Sequence, residues 1–407
     1  MPTTTRRLTT VALAGALLFA AGCAGKEERD GGEGGFAGGG ETVTVGLIAP
    51  MTGPFAVLGI SQKNSLQVEV DAINEAGGLG GSQVEIQVRD SGLDPGKAVQ
   101  QANEFSGDDS VKLVVGPSLT SFYNAAKGSF EQGKTVNCQP AVGAGTFADL
   151  DYGFRSQDPN DLDVDMMLSY LEAEGVTSIG LIYEADDTGN FFDEELETKA
   201  PDYGIDYVGM QENRADDASH TPYVQALSDA DAIWISSNAS GSKTMAAAAQ
   251  EGYQGQLVGA SGLQNISFIE AAGEDAAGVV FAAANYEWPV RDRDTWRPGY
   301  RKHIEAVEEQ YGVNVGPKSG ATSPKGTSIA GDCVYAWSKG VEAAESFDAA
   351  EVATAIENLD LSSDETPSGS TITPGDSHEF YNEDDIHIYQ WNVDDEGWYL
   401  EEVTPES

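Results

Sequence analysis

Lysine and arginine are scarce in this chain, which has 22 of them against 67 aspartates and glutamates in 407 residues. The difference, 22 − 67, gives a formal net charge of −45 at pH 7. Nucleic-acid binding requires a basic face, and docking on anionic lipid requires a polybasic patch, so both are excluded. Disorder is also excluded, because 40% of the residues are hydrophobic and 9% are aromatic. The composition indicates a large, folded and very acidic protein.

The excess of negative charge predicts where such a protein is stable. In dilute buffer so many like charges destabilise a compact state through self-repulsion. At molar salt the Debye length falls to about 3 Å, which screens most of that repulsion. The charge therefore predicts a halophilic source. The alternative is an acidic secreted protein that its charge keeps soluble.

Long apolar runs are missing beyond the N-terminus, so no permanent transmembrane helix is predicted. Residues 1–22 carry Arg6 and Arg7 before a short apolar run, which is the pattern of a signal peptide. The stretch FAAGC, ending at Cys23, resembles a bacterial lipobox, which implies that Cys23 is lipidated and anchors the protein to the membrane. Residues 23–41 are Gly-rich and polar and predict a flexible linker. The alternative is a plain secretory leader in which Cys23 is accidental.

Cysteine and histidine are rare, which limits metal and redox chemistry. Beyond Cys23, the sequence holds Cys138 and Cys333, without the spacing of a metal site. They form a disulfide or are two small buried hydrophobic residues, and we favour the second reading. The four histidines (220, 303, 378 and 387) form no HExxH motif and are expected at the surface. A phosphate-binding loop and a GxSxG elbow are also missing, so we predict no metal, no cofactor and no enzymatic activity.

The body of the chain alternates between two periodicities. Strand-like apolar runs occupy residues 41–49, 82–90, 111–117, 177–183, 232–236, 256–259 and 277–284. Segments with helical spacing lie between them, such as 59–76, where Leu66, Val70 and Ile73 form a stripe. Repeated strand–helix units predict parallel sheets with helices on both faces. Two such series predict an α/β fold of two doubly wound Rossmann-like lobes, in which ligands bind beyond the carboxyl ends of the strands.

Several motifs resemble those of one family. VGLIAPMTGPFAVLG (Val45–Gly59), INEAGG, DSGLDPGKAVQQAN, VVGPSLTS and FRSQDPNDLD are similar in order and spacing to the leucine/isoleucine/valine-binding proteins. These are type I extracytoplasmic solute-binding components of ABC transporters. The resemblance implies two lobes joined by three hinge strands, near Arg155–Asp158, Ala283–Glu287 and Thr373–Ser377. It implies a lobe 1 of residues 42–156 plus 286–375 and a lobe 2 of residues 157–285 plus 376–407.

The resemblance also implies ligand contacts in lobe 1, at Phe55, Leu58, Thr120, Ser121, Ala141 and Gly143. Leu58 stands where the family has a Tyr wall, and Thr120 where a Ser hydroxyl binds the ligand carboxylate. A hydroxyl at a predicted helix start suits an anion, although Thr120 or Ser121 could instead be a simple helix cap. Ala141 and Gly143 match positions that hold the ligand through backbone groups, and Gly143 replaces a Thr.

In lobe 2 the implied ligand contacts are Thr188, Asn238 and Ser261, and Trp288, in the second segment of lobe 1, is a further candidate. Thr188 precedes Gly189, where the family has a Tyr before the Gly. Ser261 stands where an acidic residue grips the ligand's ammonium, and a buried ammonium without a carboxylate partner is unfavourable. Asp186, Asp187 and Glu287 are candidate substitutes. For Trp288 the alternative is a place in the core.

These expectations combine into one functional hypothesis. We expect a monomeric lipoprotein that captures an amino acid of the branched-chain type, or a related small polar solute, and delivers it to ABC permease and ATPase subunits. An amide, a urea-like solute or a carboxylate is the alternative ligand, because Ser261 is not acidic. A sensory module on the same fold is the alternative function.

Overall fold

The computed structural model describes residues 39–53, 55–214, 216–236, 240–264, 269, 271–284, 293–312, 324–395 and 397–404. Within them the strands form two sheets, one of five strands and one of seven. Helices pack against both sheets, which confirms the α/β class and the two-lobed architecture predicted from the sequence.

The first sheet is parallel throughout, in the order β2–β1–β3–β4–β5. Its strands are β1 (Val43–Ala49), β2 (Val84–Asp90), β3 (Val111–Val115), β4 (Asn137–Gln139) and β5 (Gly153–Arg155). Side chains of β3 enter two separate apolar clusters, with Leu113 and Val115 in one and Val114 in the other. Such burial on both faces explains why β1 and β3 read as continuous apolar runs.

In the described part of the chain, six helices accompany this sheet. They are α1 (Ala56–Glu75), α2 (Pro95–Ser106), α3 (Thr120–Gly133), α8 (Pro298–Tyr311), α9 (Pro324–Ala344) and α10 (Ala349–Glu357). Helices α1 and α9 pack closely, since a Cβ at Gly326 would lie 3.0 Å from the carbonyl oxygen of Leu58. Helix α2 begins at an effective cap, because the Asp94 carboxylate accepts from two backbone N–H groups and Pro95 follows it.

The second sheet has the order β12–β11–β10–β9–β8–β6–β7. Its strands are β6 (Ser178–Glu184), β7 (Asp206–Asn213), β8 (Ala232–Ser236), β9 (Gln256–Gly259), β10 (Val280–Ala284), β11 (Ile386–Asp394) and β12 (Gly397–Glu402). The helices α4 (Asn160–Ala173), α5 (Asp187–Lys199), α6 (Thr221–Ala226) and α7 (Gly241–Glu251) accompany it. Strands β6 to β10 are parallel, and β11 and β12 add an antiparallel hairpin at one edge.

The chain passes between the two sheets three times. It leaves the first sheet after β5, returns after β10 to the helices α8 to α10 beside that sheet, and enters the second sheet again before β11. At the first and last passages the backbones pair, because the Arg155 amide donates to the His378 carbonyl at 2.9 Å and the Phe380 amide donates to the Arg155 carbonyl at 2.8 Å. The exact residue limits of the two lobes stay a prediction.

The reading of Cys138 and Cys333 as two unpaired hydrophobic residues is wrong. They form a buried disulfide with a Cα–Cα distance of 5.6 Å, between β4 and α9. The two residues are 195 positions apart, so their pairing depends on the fold rather than on local sequence. The bond joins the part of the first-sheet unit that precedes the second sheet to the part that follows β10.

The expectation of surface histidines is also wrong for three of the four. His220, His303 and His378 are buried, at 0%, 3% and 4% exposure. His303 lies among α1, α8 and α9, where its ring contacts the Glu69 carboxylate at 2.6 Å and the Thr327 carbonyl at 2.6 Å. Burial disfavours the charged ring, but the hydrogen bond with Glu69 raises the pKa of His303.

Candidate functional site

Each sheet has one point at which the strand order reverses. In the first sheet β1 lies between β2 and β3, and in the second β6 lies between β7 and β8. Connections leave such a point in opposite directions and open a crevice beyond the carboxyl ends of the strands. The segments after β3 and β6 enter the helices α3 and α5. Of the predicted ligand residues, Thr120 is the first residue of α3 and Thr188 is the second of α5.

Thr120 and Thr188 contact each other across the two halves of the chain. Their hydroxyl oxygens lie 3.3 Å apart, and both side chains are half-buried. One turn further along α3, the amide of Asn124 donates to the carboxylate of Asp187 at 3.4 Å. The starts of α3 and α5 are therefore neighbours, although the sequence places them far apart.

The two helix starts differ electrically. Helix α3 is preceded by Leu119 at the N-cap, with no side-chain hydrogen bond to the first turn, so Thr120 is not the cap. Helix α5 is capped by Asp186, whose carboxylate accepts from the Gly189 amide at 2.7 Å. The start of α3 thus keeps donors and a partial positive charge that suit a carboxylate, whereas an acidic side chain already occupies the start of α5.

Packing explains why the residue after Thr188 is a glycine. A Cβ at position 189 would lie 2.1 Å from a ring carbon of Tyr183, so a larger residue would collide with the end of β6. Burial, together with the charges of Glu212 and Asp193, raises the pKa of Tyr183 above its ordinary value, and its phenol stays protonated at neutral pH. This contact fixes how α5 leaves the second sheet and where the Thr188 hydroxyl lies.

Three further predicted residues lie at helix starts of the first sheet. Phe55 is half-buried and precedes α1, and Leu58 is half-buried in its first turn beside Gly326 of α9. Ser121 is exposed in the first turn of α3. Their roles toward a ligand stay predictions.

The loop after β4 carries Ala141 and Gly143. The Gly143 carbonyl accepts from the Asn160 amide at 2.9 Å and from the Arg155 guanidinium at 2.6 Å. A Cβ at Gly143 would lie 2.0 Å from the side-chain oxygen of Asn160. The Asn160 side chain therefore occupies the space that a threonine at 143 would need, and α4 contributes a polar group at the same place.

Ser261 begins a short turn after β9 and is buried at 2% exposure. Its hydroxyl contacts the side-chain nitrogen of Gln157 at 3.2 Å, and that nitrogen also donates to Asp158. The side-chain oxygen of Gln157 and both amide atoms of Gln264 have no hydrogen-bond partner among the described residues, although both side chains are buried. Amide and hydroxyl groups therefore cluster around Ser261 together with the buried carboxylate of Asp158.

The remaining candidates are the possible substitutes for the missing acid and the contacts Asn238 and Trp288. Of the candidate substitutes for the missing acid, Asp186 caps α5 and Asp187 meets Asn124. Asn238, Trp288 and Glu287 lie outside the described residues. Sequence reasoning did not name Arg155, Gln157, Asn160 or Glu379 as candidate ligand contacts, although the structure places the first three against predicted ones and pairs Glu379 with Arg155, and the first three belong to the quoted motif FRSQDPNDLD.

The described ranges contain neither a candidate metal cluster nor a candidate membrane span. No cluster of three or more His, Cys, Asp or Glu side chains there could hold a metal ion. No helix within those ranges combines the length and the apolar character that crossing a membrane requires.

Comparison with known proteins adds relatives in sequence. Residues 42–397 match the family described as periplasmic binding protein. A leucine-, isoleucine-, valine-, threonine- and alanine-binding protein of Pseudomonas aeruginosa is 24% identical over 364 residues, which is 87% of this chain and 91% of that protein. A Leu/Ile/Val-binding protein of Rhizobium johnstonii is 44% identical over 75 residues, and that match spans only 20% of its own length.

Solved structures share the fold. A branched-chain amino acid transporter substrate-binding protein of Streptococcus pneumoniae, in complex with isoleucine, has a TM-score of 0.72 at 18% identity, covering 89% of this chain and 100% of that one. A solute-binding protein of an ABC transporter from Rhodopseudomonas palustris, in complex with 3,4-dihydroxybenzoic acid, has a TM-score of 0.74 at 18% identity, covering 89% and 96%. The chain belongs to the leucine/isoleucine/valine-binding group of the type I periplasmic binding protein family.

Proposed function

We propose that the protein is an extracytoplasmic solute-binding lipoprotein of an ABC importer. It captures an amino acid of the branched-chain type, or a related small polar solute, between its two lobes, without converting it chemically. The observation that carries this proposal is the 3.3 Å contact between the Thr120 and Thr188 hydroxyls. These residues follow strands of different sheets, so a solute at this place would contact both halves of the chain.

Capture then works by closure around the solute. The proposed lobes are residues 42–156 with 286–375 and residues 157–285 with 376–407, joined by the three passages between the sheets. One lobe holds the solute first, and closure brings the second set of contacts. Because a ligand shifts an equilibrium only through its differential affinity for the two forms, contacts on both sides favour the closed form. The permease receives that form.

The class of solute follows from the two ends of the site. The uncapped start of α3 at Thr120 suits a carboxylate, which amino acids and organic acids both carry. At the other end Ser261 and Gln157 provide neutral hydrogen-bonding groups, and the buried carboxylate of Asp158 lies beside them. The Pseudomonas aeruginosa relative is named for binding leucine, isoleucine, valine, threonine and alanine, which supports branched-chain amino acids as the first candidates. An amide, a urea-like solute or a carboxylate without an amino group is the alternative, because residue 261 is a serine and not an acid.

A thermal-shift screen at molar NaCl tests the proposal. The panel contains L-isoleucine, L-leucine and L-valine, with D-isoleucine as the stereochemical control. Acetamide and urea represent the neutral alternative, and 3,4-dihydroxybenzoate represents acids without an amino group. An increase in melting temperature with the L-amino acids supports the proposed ligand. If no compound in the panel raises it, the proposed ligand classes are wrong.

The lipid anchor has its own test. Cys23→Ser in a host that processes lipoproteins is expected to move the protein from the membrane fraction to the soluble extracytoplasmic fraction, because no acyl chain can then be attached. Mass spectrometry of the wild-type N-terminus should find an acylated residue 23 and no residues 1–22. Equal membrane retention of the two proteins would contradict the anchor and favour a plain secretory leader.

A further inference from the structure

Arg155 is a buried cation at the end of β5, where the chain first leaves the first sheet. Its side chain is 2% exposed, and its guanidinium stacks over the Phe147 ring with 4.9 Å between Cζ and the ring centroid. A buried charge is stable only when nearly every donor has a partner. The partners of Arg155 therefore show what the residue holds in place.

One side of the guanidinium binds the loop after β4. Nη1 donates to the carbonyl of Gly143 at 2.6 Å and to the carbonyl of Gly145 at 3.1 Å. Both carbonyls belong to the segment 139–146, which also carries Ala141. Hydrogen bonds from a charged donor are about twice as strong as neutral ones, so they fix the orientation of these peptide groups.

The other side binds the last passage between the sheets. Nε and Nη2 donate to the two carboxylate oxygens of Glu379 at 2.5 and 2.6 Å, a bidentate ion pair. The backbone of Arg155 is paired with His378 and Phe380 in the same strip of chain. One side chain thus connects the segment 139–146 to two of the three passages through which the halves of the chain move relative to each other.

We propose that Arg155, with Glu379, is a positioning residue of the solute site. It holds the segment 139–146 in the arrangement that receives the solute and couples that segment to closure. This inference rests on the proposed function, since it takes 139–146 as part of the solute site. Lysine cannot replace Arg155, because an ammonium lacks the planar fork that reaches Glu379 and both carbonyls together.

Hydrogen–deuterium exchange of the full folded protein at molar NaCl tests the proposal without a ligand. In Arg155→Lys, the amides of 139–146 are expected to exchange about tenfold faster, because charge-assisted hydrogen bonds to the loop are lost. Glu379→Gln keeps the guanidinium and is expected to accelerate the same amides to a smaller extent. Arg301→Lys is the matched control, because Arg301 forms ion pairs with Glu305 and Asp294 on an exposed helix face.

A second control separates local from global effects. Ile205→Ala truncates a fully buried residue beside the second sheet and lowers global stability without touching 139–146. Unchanged exchange of 139–146 in Arg155→Lys, or equal acceleration in Ile205→Ala, overturns the proposal. Unchanged exchange in Glu379→Gln overturns the coupling to the last passage.

Affinity for L-isoleucine gives the second readout. If the wild type binds it, Arg155→Lys is expected to raise Kd about tenfold while Arg301→Lys leaves it unchanged. Faster exchange of 139–146 with an unchanged Kd overturns the positioning role. If the wild type binds no compound of the panel, the proposed ligand classes fail, and the exchange experiment alone decides whether Arg155 orders this segment.

Discussion

Breaking the disulfide between Cys138 and Cys333 is expected to lower the free energy of unfolding by about 5 kcal/mol, which follows from the 195-residue separation of the two cysteines. Closing a loop of that length removes entropy from the unfolded chain in proportion to the logarithm of its length. The folded state changes little, because both sulfurs are buried and the Ser156 hydroxyl already lies 3.7 and 3.2 Å from them.

Urea unfolding of the wild type with and without a reductant measures this difference on one and the same chain. The double variant Cys138→Ala/Cys333→Ala is the matched control, since its unfolding should not respond to the reductant. A titration of free thiols in the denatured, unreduced protein verifies that the bond exists. Equal unfolding midpoints with and without reductant, in a protein that shows no free thiols, would refute the loop-entropy argument.

Three further outcomes are expected. Thr120→Ala should weaken binding of the solute found in the thermal-shift panel by about 1–2 kcal/mol, as isothermal titration would show, while Thr354→Ala, at an exposed position on α10, leaves Kd unchanged; equal Kd values for Thr120→Ala and wild type would remove the hydroxyl from the site. Burial raises the pKa of Asp332 from 3.8 to about 7, so its contribution to stability is present below pH 3.8 and is lost as the pH rises through 7; Asp332→Asn should remove this slope from the urea-unfolding curve against pH, and parallel curves would contradict it. The melting temperature should rise from low to molar NaCl as self-repulsion is screened, and a flat or falling series would end the halophilic interpretation.

The sequence predicts the fold best where strands are buried on both faces. Strands β8 (Ala232–Ser236) and β9 (Gln256–Gly259) have the predicted limits. Both limits of β1 and of β6 lie within two residues of the predicted ones. Strands β4 and β5 were not predicted, because NCQ and GFR are three residues long and carry polar side chains. Strand β7 was not predicted either, because Gly209, at a φ of +106°, interrupts its strand pattern. Strand β11 (IHIYQWNVD) has a readable alternation that the prediction omitted.

The candidate site also has residues that the sequence could point to and contacts that it could not. The resemblance named Thr120 and Thr188, and both follow strand ends, where a doubly wound sheet has its binding crevice. Nothing in the local sequence indicates that Arg155 meets Glu379, since 224 residues separate them. The predictions for the cysteines and for the histidines were wrong for the same reason. Each depends on partners that only the folded chain brings together.

The contact between Gly143 and Asn160 couples the two positions in mutagenesis. A threonine at 143 would place its Cβ about where the Asn160 side-chain oxygen now lies, at 2.0 Å in the present arrangement. A side chain at 143 therefore requires the Asn160 side chain to move aside or to be replaced by a smaller one. Substitutions at 143 and 160 are expected to have non-additive effects, so mutagenesis of this loop has to treat the two positions as a pair.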